Sequence, residues 1–219
     1  ETWARRLKSA PAFASEESQR RLDRLILQAM FKVGEQLAER GEHTEAANAY
    51  LRAAEEFPED DRARQALYNA GKERQRAGDL GGADEAYTLL VERYAGSEEG
   101  ALGAWEGAQM YESIAQFSDA ARFYEAYGRG FPQAEKNHEA LYNAVLLRVT
   151  AGDYDEAIEV GGVYMERYRR RENADDVAFF IGRAHEGNED WEEAADTYRA
   201  YVRRARNLDR KVEAQTRLA

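Results

Sequence analysis

Four columns of like residues recur every 37 positions along this chain, and that period constrains the fold more than any single motif. An aromatic stands at Phe31, Tyr68, Trp105, Tyr142 and Phe179, and an alanine at Ala46, Ala83, Ala120, Ala157 and Ala194. A third column reads His43, Leu80, Phe117, Tyr154 and Trp191, and a fourth Tyr50, Tyr87, Tyr124, Gly161 and Tyr198. Columns that stay in phase without a slip describe one supersecondary unit copied and stacked, each copy burying its apolar side against its neighbours. One elongated domain is therefore expected.

The formal charge is −11. Such a balance argues against nucleic acid, because phosphate binding is driven by Lys and Arg displacing counterions. The charge is uneven: from Arg199 to the end stand seven basic residues and two acidic ones. That stretch reads as a solvated helix face, with contact to an acidic partner or to membrane headgroups as the alternative. There is no cysteine, so no disulfide, thiolate zinc site or thiol nucleophile. No apolar run approaches the roughly 20 residues that cross a bilayer. A chain that opens on Glu1 and closes inside a helical pattern reads as a piece of a longer protein.

Within residues 66 to 95 the small and apolar residues Ala66, Leu67, Tyr68, Ala70 and Gly71 follow a helical period that ends near Gly78. A second series begins after Asp79: Leu80, Ala83, Ala86, Tyr87, Leu90, Val91, Tyr94. Two helices of about 15 residues joined by so short a turn must run antiparallel. Gly34, Gly71, Ala108 and Gly182 hold one place in the first helix and are expected to face the alanine column of the second. Pro11, Pro58 and Pro132 are expected outside helices. The fifth turn lacks its glycine, and Gly187-Asn188 predict that it begins a residue or two early. Gly161 breaks the tyrosine column and leaves a notch, expected to be filled by Phe179 and Phe180 rather than to remain a pocket. Upstream, residues 16 to 26 extend the first helix through Leu22, Leu25 and Ile26, and Trp3, Ala4 and Leu7 suggest a short capping helix. Downstream, Val212, Ala214, Leu218 and Ala219 stand where a sixth first helix would begin.

The run Gly152-Asp153-Tyr154-Asp155-Glu156-Ala157-Ile158-Glu159, with Ala66-Leu67-Tyr68-Asn69-Ala70-Gly71, resembles the tetratricopeptide repeat, whose small and aromatic columns fall at Gly71, Gly78, Ala83, Tyr87 and Pro58. The resemblance implies an all-α, right-handed superhelical solenoid of antiparallel helix pairs. It divides the chain into an N-terminal cap or remnant (1–26), five repeats (27–63, 64–100, 101–137, 138–174, 175–211) and the start of a further helix (212–219). A 37-residue unit with a Phe-Pro ending is similar to repeats of bacterial envelope proteins, including the outer-membrane assembly lipoproteins and the periplasmic coordinator of the Tol-Pal system. A periplasmic or outer-membrane-associated place is implied, with the cytoplasm as alternative.

Nothing in the chain favours catalysis. His43, His138 and His185 lie in different units without a second histidine at helical spacing, so no metal site is expected. His43 is expected to pack in the core, and Glu98-Glu99 to favour a helix start through the macrodipole. No nucleophile elbow or phosphate loop is present, and no cofactor is expected. In the family resembled, the first helix of each pair lines a groove. That implies candidate peptide-binding residues Lys32, Tyr68, Asn69, Lys72, Trp105, Gln109, Tyr142, Asn143, Phe179 and Arg183. Asparagine offers both a donor and an acceptor to a peptide backbone. Where family members that clamp a terminal carboxylate carry lysines and an arginine, this chain has aromatics, glutamine or an acid. A partly apolar peptide or amphipathic helix of a partner protein is expected instead. The competing readings are aromatics that only pack, and a spacer that self-associates through its ends.

Overall fold

The computed structural model describes residues 2–205 and 207–219. Among them lie twelve α-helices and no strand. A short helix α1 (Thr2–Lys8) leads through a 3-10 turn (Pro11–Phe13) into α2 (Glu16–Glu39), α3 (His43–Glu56), α4 (Arg62–Arg76) and α5 (Leu80–Arg93). Then follow α6 (Glu98–Ser113), α7 (Phe117–Gly130), α8 (Asn137–Ala151), α9 (Tyr154–Tyr168), α10 (Ala174–Gly187), α11 (Trp191–Arg204) and α12 (Leu208–Leu218). The chain divides into two compact units, Glu1–Gly103 and Ala104–Ala219, and the division falls within α6. In the first unit α2, α3, α4 and α5 pack in succession; in the second, α7 through α12 do, and α8 also touches α10.

Every hairpin turns the same way. The backbone N–H of Glu42, Asp79, Gln116, Asp153 and Asp190 donates to the carbonyl five residues earlier, on Leu37, Arg74, Tyr111, Arg148 and His185. This is the six-to-one bond of a Schellman motif, which needs a left-handed residue just before the donor. Gly41, Gly78 and Gly152 supply it at φ 77°, 76° and 88°. Ala115 (φ 57°) and Glu189 (φ 63°) adopt it without being glycine. The fifth turn therefore does not start early: α10 runs to Gly187, and Glu189 itself takes the strained place, because the stacked hairpins hold the turn in register. Two of the turns are tied by a charge: Arg74 donates to Asp79 at 2.7 Å and Arg148 to Asp153 at 2.8 Å.

Inside the hairpins the alanine column is buried throughout, yet Gly34, Gly71 and Gly182 of the first helices meet tyrosine, not alanine. A methyl group on Gly34 would stand 2.8 Å from the Tyr50 ring, one on Gly182 2.7 Å from Tyr198, and one on Gly71 would collide with Tyr87. Each tyrosine lies flat across a bare backbone. In the fourth hairpin the sizes are exchanged: Val145 stands in the glycine column and Gly161 in the tyrosine column. A methyl on Gly161 would be 2.7 Å from Ile181 Cγ1 and 3.8 Å from Val145. The notch is filled, but by Ile181 of α10 instead of Phe179 and Phe180.

Three smaller expectations change. Pro11 opens the 3-10 turn, where its missing N–H leaves no bond unmade. Leu22 and Ile26 are buried on α2, whereas Leu25 is 45% exposed. His43 is no core imidazole; its Nδ1 lies 2.7 Å from Oε2 of Glu73, a buried carboxylate that Arg76 holds from the other side at 2.5 Å.

Candidate functional site

Three rings of the aromatic column, Phe31, Trp105 and Phe179, turn one side toward the second helix of their own hairpin, and Tyr142 meets Phe180 of α10 instead. Phe31 meets Tyr50 edge-on at 5.6 Å, and Trp105 meets Tyr124 at 5.3 Å and Tyr127 at 5.6 Å. Phe179 lies 5.4 Å from Tyr201 and 5.8 Å from Tyr198. Most of these rings keep a second, half-exposed side, and cations cover part of it. Lys136 Nζ sits 4.1 Å over Trp105, Lys72 Nζ 5.9 Å from the Tyr68 centroid, and Arg210 5.9 Å from Phe179.

Of the ten candidates, Lys32, Gln109 and Arg183 are exposed. Lys32 Nζ donates to Glu35 at 3.0 Å. Tyr68, Asn69, Lys72, Trp105, Tyr142 and Asn143 are half-buried. Phe179 is only 2% exposed, and Phe180 beside it is buried between Tyr142, 6.0 Å away, and Arg210. In the first unit Tyr68 and Lys72 come together on α4 next to Asn69. In the second, Tyr142 joins Phe179 and Phe180 through the α8–α10 contact. Gln109 and Arg183 have no hydrogen bond or ion pair among the described residues.

The asparagines carry packing duties. Asn69 Oδ1 accepts from Gln65 Nε2 at 2.9 Å, and its side chain acts on the Tyr50 phenol against the effect of burial. Asn143 acts on Tyr124 in the same sense, and the Tyr124 hydroxyl donates to Glu112 Oε2 at 2.8 Å. Burial raises the Tyr124 phenol well above its ordinary value, and the bond to Glu112 raises it further. Tyr198 is raised in the same way by burial and then by Glu186, 2.8 Å from its hydroxyl. No group of three metal-ligating side chains occurs among the described residues, and no described helix is long and apolar enough to cross a membrane.

Residues 28–60, the later part of α2 with the Gly41 turn and α3, match the tetratricopeptide repeat family. The same columns return in each hairpin that follows. The hairpin of α2 and α3 is a tetratricopeptide-type repeat. Similar solved structures include a tetratricopeptide repeat protein from Parabacteroides merdae, 15% identical, covering 88% of this chain and 73% of that one, TM-score 0.45. BtubC from P. vanneervenii is 16% identical over 92% of this chain and 85% of its own, TM-score 0.46. YrrB, described as a tetratricopeptide-repeat protein with an unusual peptide-binding site, is 16% identical over 85% and 90%, TM-score 0.46. With TM-scores below 0.5, the identification rests on residues 28–60 and on the in-phase columns. No curated protein matches the chain. Arrays of tetratricopeptide repeats serve in general as protein-binding scaffolds and not as catalysts.

Two sets of residues escaped the sequence reading. Gln75, Glu112 and Glu186 form a further column in phase with the tyrosines, and each accepts the hydroxyl of Tyr87, Tyr124 or Tyr198. Its signal was present in part: the column changes to Val149 in the repeat where tyrosine becomes Gly161, but Ala38 holds the same place beside Tyr50. Asn137, 1% exposed, ties three elements. Its Nδ2 donates to the carbonyls of Gly128 (2.9 Å) and Phe131 (2.8 Å), and its Oδ1 accepts from Tyr168 at 2.7 Å. It stands alone in its column, so periodicity could not reveal it.

Proposed function

We propose that this chain is a non-catalytic scaffold whose first-helix faces hold a peptide or helix of a partner protein. The observation that carries this is the mixed character of those helices: Phe31, Trp105 and Phe179 pack against tyrosines of their own hairpins and Tyr142 against Phe180 of α10, while Gln109 and Arg183 on the same helices stay exposed. In the first unit the face comprises Lys32, Tyr68, Asn69 and Lys72; in the second, Trp105, Gln109, Tyr142, Asn143 and Arg183, with Phe179 as a supporting wall. Half-exposed aromatics beside donors and acceptors suit a partly apolar segment. YrrB offers a parallel by its described peptide-binding site. The repeat divisions at 27–63, 64–100, 101–137, 138–174 and 175–211 are part of this reading, as is a place in a bacterial envelope complex, which the Phe-Pro endings support.

Gln109→Glu with Arg183→Glu tests it. Both residues are exposed, so circular dichroism stays unchanged while capture of the partner falls. Unchanged capture in this variant, alongside Glu85→Gln on the outer side of α5 as control, contradicts the proposal. A second reading, self-association, is favoured by Leu208 and Val212, which are 74% and 61% exposed on α12. Light scattering that shows a concentration-dependent dimer abolished by Val212→Glu supports it, and a strict monomer removes it.

A further inference from the structure

The charge of the chain reverses locally in two stretches of the second unit. Against 42 acidic and 31 basic residues overall, the stretches 166–176 and 199–211 together carry ten basic and five acidic ones. The α9–α10 connection brings Arg169, Arg170 and Arg171, and the end of α11 brings Arg204, to a cleft of about 910 Å³ that Asn173 and Asn207 also line. The carboxylates of the same cleft are partly engaged: Asp176 is paired with Arg210, and Asp175 lies 3.9 Å from Arg204. Arg169, Arg170 and Arg171 are exposed and make no side-chain hydrogen bond or ion pair among the described residues; Arg171 rests over the Tyr168 ring at 5.8 Å. Asn173, at the start of α10, makes no side-chain capping bond.

Three consecutive guanidinium groups without a partner repel one another, and fork-shaped donors are satisfied best by planar carboxylates. We propose that this cleft holds an acidic segment of a partner protein, its Glu or Asp side chains paired with Arg169, Arg170 and Arg171. None of these residues belongs to the first-helix faces, so the two surfaces stand or fall separately. A protein partner fits better than an anionic membrane. Asp175, Asp176 and Glu172 sit among the arginines and repel a continuous sheet of charge, as does the net −11 of the chain. A short acidic segment instead places its charges within a few ångströms of the arginines, inside the screening length of about 8 Å at physiological salt.

Fluorescence anisotropy of a short labelled poly-glutamate peptide, titrated with the full chain at physiological ionic strength, tests the assignment. Binding is expected, absent for a poly-glutamine peptide and weakened about tenfold in Arg169→Glu/Arg170→Glu/Arg171→Glu. It is retained in Arg20→Glu/Arg21→Glu/Arg24→Glu, an equal charge change on α2. Arg170→Gln alone, with an unchanged dichroism spectrum, weakens binding to a smaller degree and guards against misfolding of the triple variant. No peptide binding, equal loss in the loop and α2 variants, or binding confined to phosphatidylserine vesicles overturns the proposal.

Discussion

At the scale of single residues, the turns show what the repeat imposes. A left-handed conformation costs a residue with a Cβ roughly 1–2 kcal/mol, partly offset by the entropy that glycine loses on folding. Glu189→Gly and Ala115→Gly are therefore expected to stabilise the protein by about 0.5–1 kcal/mol each, read from urea denaturation. No gain at either position would mean that the turn is not strained. The position of the fifth turn was misjudged from sequence because Asn188 accepts such a conformation more readily than glutamate; the fixed register outweighed that local preference. The hydroxyl network of Tyr124 gives a graded test. Tyr124→Phe removes the bond to Glu112 but keeps the ring, and should cost about 1 kcal/mol. Tyr124→Ala also empties the space across the first helix and should cost about 3–5 kcal/mol. Equal costs for the two variants would show that the hydroxyl, not the ring, holds the hairpin.

At the scale of elements, the exchange of sizes between Val145 and Gly161 is the informative departure. The columns themselves were legible in the sequence, as was the close approach of helices. The occupant of the notch was not, because Ile181 of α10 meets Gly161 while Phe179 packs on Tyr198 and Tyr201 and Phe180 on Tyr142, a choice that spacing alone does not specify. Gly161→Ala should destabilise the protein by about 1–3 kcal/mol, since its methyl would press on Ile181. Adding Ile181→Ala should recover part of that loss in a double-mutant cycle. Strictly additive costs would show that the two residues do not touch. The asparagines teach a related lesson: Asn69 and Asn143 offer a donor and an acceptor, as peptide recognition requires, and the fold already spends part of the Asn69 capacity on Gln65.

At the scale of the whole molecule, both units rest on buried tyrosines, and this sets the alkaline limit of stability. Burial raises the phenols of Tyr50, Tyr124, Tyr164, Tyr198 and Tyr201. In the unfolded chain they ionise near pH 10. Folding holds these protons more tightly, so the stability they contribute is complete below about pH 10 and falls as the pH rises toward the folded values. Unfolding free energy should decline steeply above pH 10, with the part of the phenolate absorbance that Tyr124→Phe/Tyr198→Phe removes appearing only as helicity is lost. Appearance of that part ahead of unfolding would contradict their burial. The helical array was legible from periodicity because every hairpin repeats the same packing problem. The binding faces were less so, because the same column supplies both packing and exposed groups. The central claim is that first-helix faces receive the partner, and site-specific photo-crosslinking tests it most directly. With a photoreactive residue placed in turn at Gln109, Arg183, Glu85 and Glu156, adducts with the partner should form from Gln109 and Arg183. Adducts from Glu85 and Glu156 alone, on the second helices, would contradict the account.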